Sequence, residues 1–249
     1  MTDRTTTLTS KDGLAVLVSL TLICGLAWVY LIKMAWGMQH MDVGANMAIM
    51  PRMVSWRPID LALVFAMWAI MMVAMMLPSA TPMILLFAAL SRQLGQPRTA
   101  MKVAAFVSAY AAIWAVFSLL ATLLQWGLLE ARLVSPMMDA GSPILGGALL
   151  VAAGVFQFTP QKEACLSKCR APLAFITVHW RSGARGAFVM GAQHGLFCLG
   201  CCWLLMLLLF VLGVMNLVWV ALLSAFVLLE KTLPNADWFK RLGDRKSVV

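Results

Sequence analysis

Long stretches of apolar residues constrain this chain more than any other feature of its sequence. A helix needs roughly 20 predominantly apolar residues to cross the hydrocarbon core of a bilayer. Six stretches approach or reach that length, at residues 13–35, 59–77 (continuing past Pro78 and Pro82 to about residue 90), 102–125, 144–158, 187–212 and 215–233. Of the 249 residues, 62% are hydrophobic and only 12% are charged, which excludes an ordinary cytosolic enzyme. The sequence predicts an all-α fold, a transmembrane bundle of six spans forming one membrane domain over residues 1–249.

Basic residues fall mainly on one side of this predicted bundle. Fifteen of the 19 Lys and Arg lie in the N-terminal segment, the second and fourth loops and the C-terminal tail. Because cytoplasmic loops are enriched in Lys and Arg, both termini are predicted to be cytoplasmic, with residues 234–249 forming a basic tail. The net charge of +9 then indicates contact with lipid headgroups, and no motif points to nucleic acid.

Methionines are concentrated in the second apolar stretch. Met67, Met71 and Met75 fall within an arc of about 80° on a helix, and Met72 and Met76 form a neighbouring stripe. Their spacing from the outer end of the span places them near the middle of the bilayer. A thioether is a soft, uncharged ligand that favours Cu(I) and needs no deprotonation. The alternative is that these methionines only fill gaps between packed helices.

The fifth stretch contains the run HGLFCLGCC. His194, Cys198 and Cys201 share an arc of about 60°, and Cys202 lies about 40° further round. A histidine within a membrane span is a functional candidate, although small buried cysteines and a hydrogen-bonded histidine can also serve packing alone. Gly191 and Gly195 form a GxxxG motif, which predicts close approach of a neighbouring helix.

Two loops add further candidate ligands. Cys165 and Cys169 lie four residues apart among cations in the fourth loop, where neighbouring positive charge favours the thiolate; reduced surface thiols in a lipid-binding loop are the alternative. Met38, His40 and Met41 cluster in the first outer loop, where thioethers survive conditions that oxidise thiols. An amphipathic segment lying on the membrane surface is the other interpretation of that loop.

These ligands change with depth, from Met and His outside, through Met, His and Cys at the midplane, to Cys inside. That order predicts an inner-membrane Cu(I)-binding protein for copper uptake or for delivery to a cuproprotein, with Zn(II) less favoured because it gains little from thioethers. The central site would use Met67, Met71, Met75, His194, Cys198, Cys201 and Cys202. Cys165 and Cys169 would form the inner exchange site, and Met38, His40 and Met41 the outer uptake site. No ATPase motif is present, so delivery would depend on a gradient or on a metallochaperone or cuproprotein partner.

Three motifs carry a resemblance to a known family. They are MWAIMMVAMMLPS at residues 67–79, QFTPQKEACLSKCR at residues 157–170 and GAQHGLFCLGCCW at residues 191–203. Together they resemble a family of predicted metal-binding integral membrane proteins from bacteria, a family grouped as a domain of unknown function. The resemblance covers about residues 60–233 and implies a multi-pass protein of the bacterial inner membrane that binds metal.

Other functions remain open at this point. A thiol–disulfide redox protein could use the CxxC pair of Cys198 and Cys201, although no cysteine is predicted on the oxidising outer side. Haem or quinone binding could use His194 with Met71 as an axial pair. A scaffold subunit of a membrane complex, or an oligomer, would need none of these chemistries. Glu230 and Lys231 are interpreted as a charge pair at the inner end of the last span.

Overall fold

The computed structural model describes residues 11–39, 57–130, 143–214 and 216–233, and all regular structure in these ranges is helical. In chain order the described helices are α1 (Lys11–Gln39), α2 (Pro58–Gln93), α3 (Thr99–Glu130), α4 (Pro143–Phe156), α5 (Pro160–Arg170), α6 (Pro172–His179), α7 (Gly183–Leu207), α8 (Leu209–Leu212) and α9 (Leu217–Thr232). The predicted all-α fold is confirmed for this part of the chain.

Four helical segments are long and apolar enough to cross a membrane: Gly13–Gly37, Pro58–Gln93, Thr99–Glu130 and Gly183–Leu212. They correspond to four of the six predicted spans. Helix α4 has 14 residues and α9 has 16, so both are shorter than a typical spanning helix. The count of six spans stays a prediction, and so does the cytoplasmic placement of termini that lie outside the described residues.

The longest helix, α2, begins at a cap and continues through two prolines. The Asp60 carboxylate accepts a hydrogen bond from the Arg57 backbone N–H at 2.9 Å, and Pro58 supplies a backbone angle already suited to a first helical turn. With 36 residues, α2 extends for about 54 Å, well beyond the bilayer core. Pro78 and Pro82 lack backbone N–H groups, so the carbonyls four residues before them lose their helical partners.

Helices α3 and α7 pack closely, because α7 presents glycines to α3. A Cβ atom added at Gly191 would collide with the backbone carbonyl of Phe106, and one at Gly195 would lie 3.0 Å from the Ile113 Cβ. The close approach predicted from the GxxxG motif is confirmed. Helix α2 packs between α1 and α3 and also contacts α9.

The predicted fourth loop is a packed helix in the structure. Helix α5 begins where the Thr159 hydroxyl accepts a hydrogen bond from the Lys162 backbone N–H at 3.3 Å. It lies against α7, and the Cys165 Sγ would be only 2.7 Å from a Cβ built at Gly200. The cysteines of this segment therefore lie next to the middle of α7.

Candidate functional site

A buried group of sulfur atoms forms where α2, α5 and α7 meet. We call it the sulfur cluster; its members are Met76, Cys169, Cys198, Cys201 and Cys202. The three cysteines of α7 and Met76 are at most 1% exposed. The Cys202 Sγ lies 3.9 Å from the Met76 Sδ, and the Cys169 side chain is close enough to Cys201 for the two thiols to interact electrostatically. The cluster thus joins sulfur atoms from three separate helices.

Hydrogen bonds within the cluster distinguish Cys198 from its neighbours. The thiols of Cys201 and Cys202 both point to the Cys198 carbonyl oxygen, at 3.1 and 2.9 Å. The Cys198 Sγ instead receives a hydrogen bond from the Lys231 Nζ at 2.9 Å and lies 3.1 Å from the Tyr110 Oη. Cys198 therefore has a polar, positively charged neighbour that the other two cysteines do not share in this hydrogen-bond network.

Lys231 enters the site from the last turn of α9. Its Nζ also donates to the Ser79 Oγ at 3.1 Å, and the residue is 8% exposed. The interpretation of Glu230 and Lys231 as a charge pair is wrong, since the Glu230 carboxylate lies 2.5 Å from the Lys162 Nζ. Adjacent residues on α9 point in different directions, so the two charges meet different partners.

Tyr110 on α3 connects two sides of the cluster. Its hydroxyl donates to the Met76 carbonyl at 3.1 Å while lying the same distance from the Cys198 sulfur. Neither Tyr110 nor Ser79 was among the predicted site residues. One signal could have identified Tyr110 and Lys231: polar or charged side chains within or at the end of apolar helices are costly unless they have a task.

His194 is buried beside the cluster among aromatic rings. Its ring centroid lies 5.8 Å from that of Tyr110, 5.5 Å from Phe175 and 6.1 Å from Phe106. Within the described ranges, its Nδ1 has no hydrogen-bond partner. Aromatic rings therefore pack on several sides of the His194 ring. His194 is adjacent to the cluster through Tyr110.

The methionines of α2 divide into two faces. Met67, Met71 and Met75 are buried in the same apolar core as the cysteines, but the short sulfur–sulfur contact is made by Met76. Met76 shares a face with Ser79, whereas the predicted stripe is centred about 100° further round an ideal helix. Met76 was noticed in the sequence as part of the neighbouring stripe and was not chosen as a ligand.

The inner and outer sites predicted from the loops have different outcomes. Cys165 and Cys169, predicted as the inner exchange site, both lie on α5 against α7, next to the cluster. Burial raises the pKa of the Cys165 thiol, opposite to the effect expected from neighbouring cations. Met38 lies in α1 with its side chain outside the described part, and His40 and Met41 lie outside the described residues altogether.

The donor atoms suit a soft monovalent metal better than a harder one. In the described portion of the chain, no three or more His, Cys, Asp and Glu side chains form a group that could hold a metal ion. A ligand set built on Cys198 and Cys202 therefore needs a different third donor, and Met76 supplies a thioether. Soft thiolate and thioether donors are the ligand types that select Cu(I).

Comparison with known proteins agrees with this chemistry. Residues 65–243 match the family PpoB2, described as copper chaperone. No curated protein and no solved structure matches the chain. The matched region contains all members of the sulfur cluster as well as Tyr110 and Lys231. Because the match covers well over half of its residues, this chain belongs to the copper chaperone family.

Proposed function

We propose that this protein binds Cu(I) in the sulfur cluster and hands it on within or across a membrane, for copper uptake or for delivery to a cuproprotein. The observation that carries the proposal is the contact between Met76 and Cys202 beside Cys198. It brings the thioether of Met76 on α2 together with the thiols of Cys198 and Cys202 on α7 in an apolar interior. Cu(I) is stable with two or three soft ligands, so this set is sufficient.

Two parts of the cluster suit two roles. Cys198, Cys202 and Met76 form a holding site, and Cys169 with Cys201 forms an exchange pair at its α5 side. Copper moves between them by ligand exchange, in which a new Cu–S bond forms before an old one breaks. The metal stays Cu(I) throughout, and each thiol that becomes a ligand releases its proton.

The helices that surround the cluster support the proposed membrane setting. Four segments are apolar enough to cross a bilayer, and we place the protein as a multi-pass protein of the bacterial inner membrane, consistent with the family resemblance in its motifs. Lipid then surrounds the protein, and its partner is a metallochaperone or a cuproprotein that receives the copper. Met38, His40 and Met41 are proposed as an outer uptake site. We also propose that the protein forms an oligomer.

Metal content of the purified protein tests this function. The protein is purified anaerobically in detergent, loaded with Cu(I), and analysed by mass spectrometry beside a Cys198→Ser/Cys202→Ser variant. We expect about one Cu per wild-type chain and little in the variant, because its two thiolate donors are gone. A Cys24→Ser variant is the matched control, since Cys24 lies on α1 and outside the cluster.

Each outcome of that experiment separates the proposed function from its alternatives. Copper lost in the double variant and kept in the control supports a Cu(I) site in the cluster. Zinc in place of copper would identify a Cys-based zinc site. No metal under any loading would contradict the proposal and favour a thiol redox protein or a scaffold.

A further inference from the structure

The position of Lys231 carries an inference about which metal ions the cluster accepts. Its ammonium group is buried, donates to the Cys198 Sγ at 2.9 Å and to the Ser79 Oγ at 3.1 Å. Glu230, which precedes Lys231 in the sequence, is paired instead with Lys162 at 2.5 Å. The positive charge of Lys231 is therefore directed at a sulfur atom.

The cluster is also asymmetric in a way that matches this charge. The thiols of Cys201 and Cys202 donate hydrogen bonds to the Cys198 carbonyl oxygen, while the Cys198 Sγ accepts a hydrogen bond from the Lys231 Nζ. An ammonium group that donates to a sulfur stabilises the negative charge that this sulfur carries when it gives up its proton to bind a metal, because charge-assisted hydrogen bonds are the stronger ones. Lys231 thus stands where a counter-charge is needed when a thiolate lies in an apolar interior.

Charge counting shows what this means for a bound metal. A monovalent ion with two thiolates and one thioether carries a net charge of −1, which the ammonium of Lys231 neutralises. A divalent ion on the same three sulfurs is already neutral, and Lys231 would then leave an excess of +1. Uncompensated charge is costly in a low-dielectric interior, so the lysine favours the monovalent complex.

We propose that Lys231 is a specificity-determining residue that makes the sulfur cluster prefer monovalent over divalent soft metal ions. The inference rests on the proposed function, because it takes Cys198, Cys202 and Met76 as the ligands. Lys231 acts through charge and does not touch the metal. Its effect should therefore depend on the charge of the ion and not only on its affinity for sulfur.

Ag(I) and Cd(II) are suitable probes, since both are soft and redox-inert but differ by one charge. Their affinities are measured anaerobically by competition with a chelator for wild type, Lys231→Met and Lys231→Arg. We expect the ratio of Ag(I) to Cd(II) affinity to fall by about tenfold or more in Lys231→Met, because only the monovalent complex loses its counter-charge. Lys231→Arg keeps the charge and should stay within about threefold of wild type.

Using the affinity ratio protects the test from loss of folding, because a smaller folded fraction lowers the apparent binding of both ions equally. Lys33→Met is the matched control: Lys33 is exposed on α1, and its replacement should leave the ratio unchanged. An unchanged ratio in Lys231→Met, with the wild type binding Ag(I) and Cu(I), would overturn this inference and leave the proposed function standing. A wild type that binds neither monovalent ion would overturn both.

Discussion

At the scale of single residues, the structure changes which methionine of α2 lies in contact with a cysteine. The sequence pattern favours Met67, Met71 and Met75, whereas the short sulfur–sulfur contact belongs to Met76. A helical repeat shows which residues share a face, but it does not show which face meets the cysteines. That depends on how α2 is rotated against its neighbours.

Substitution of single methionines distinguishes the two faces. Met76→Leu removes the thioether while conserving volume, so it should lower Cu(I) affinity by about tenfold or more with little loss of stability. Met71→Leu should change the affinity much less, since Met71 lies on the other face. Both affinities are measured by anaerobic chelator competition, with the exposed Met101→Leu as control. A larger loss in Met71→Leu than in Met76→Leu would restore the stripe predicted from sequence.

The glycine at residue 191 determines how closely α7 can pack against α3. Gly191→Ala places a methyl group against the Phe106 carbonyl and should lower the free energy of unfolding by about 1–3 kcal/mol. Gly25→Ala is the matched control, because no atom lies within 4 Å of its added Cβ. Thermal unfolding in detergent compares them. Equal stability of the two variants would show that α3 and α7 do not approach as described.

At the scale of elements, α5 is held in place by a polar contact with α9. Lys162, which is 2% exposed, lies 2.5 Å from the Glu230 carboxylate and also donates to Gln157. Arg170 adds a hydrogen bond from its Nε to the Glu230 carbonyl at 2.7 Å. These contacts hold α5, the helix that carries Cys169, against α9, and in the proposed function they position the exchange pair.

Breaking this ion pair should release α5. Glu230→Gln leaves a buried Lys162 without its counter-charge, at a cost of about 3–5 kcal/mol. We expect faster alkylation of Cys169 by N-ethylmaleimide, measured by peptide mass spectrometry with Cys24 as the internal reference. The double variant Lys162→Met/Glu230→Leu removes both charges and should restore slow alkylation. Unchanged alkylation in Glu230→Gln would mean that other contacts hold α5.

The prolines of α2 lie close to the cluster. The Met76 carbonyl, two residues before Pro78, accepts hydrogen bonds from the Ser79 Oγ at 2.8 Å and from the Tyr110 Oη at 3.1 Å. Side chains therefore supply additional donors to a carbonyl that lies between Ala74 and Pro78, the two residues whose carbonyls lose their helical partners. Through Met76, this part of α2 contacts Tyr110 on α3 with its backbone and Cys202 with its side chain.

At the scale of the whole molecule, the apolar side chains point both inward and outward. Leu22 on α1 and Leu120 on α3 are each 60% exposed, and Val151 on α4 is 67% exposed. Such exposure suits helices surrounded by lipid, because hydrocarbon solvates them as well as a protein core does. Buried polar contacts lie in the interior, both at the sulfur cluster and further along α2 and α3, where the Trp68 Nε1 donates to the Gln125 Oε1 at 2.7 Å.

Reporter fusions test the proposed topology of this bundle. With six spans and cytoplasmic termini, green fluorescent protein fused after residue 249 should fluoresce, and alkaline phosphatase at the same place should be inactive. Fusions after residue 130, at the end of α3, should give the reverse pattern. The reporters read the side of the membrane directly, since each is active on one side only. A phosphatase active after residue 249 would mean an odd number of spans or an outer N-terminus.

Much of this protein follows from its sequence alone, because the relevant physics is local. The length of the apolar stretches identifies the four helical segments that are long enough to cross a membrane, and the 3.6-residue repeat places Cys198 and Cys201 on one face of α7. The GxxxG motif of Gly191 and Gly195 predicts a close contact with a neighbouring helix from the sequence alone. The soft chemistry of the Met and Cys side chains likewise points to copper, in agreement with the family to which the chain belongs.

Only the tertiary structure decided which of these residues meet. It placed Cys169 beside Cys201, brought Met76 into contact with Cys202, and brought Lys231 to Cys198. These contacts join residues up to 126 positions apart in the chain. They depend on the rotation and depth of packed helices, which hydrophobic periodicity within a single helix does not specify.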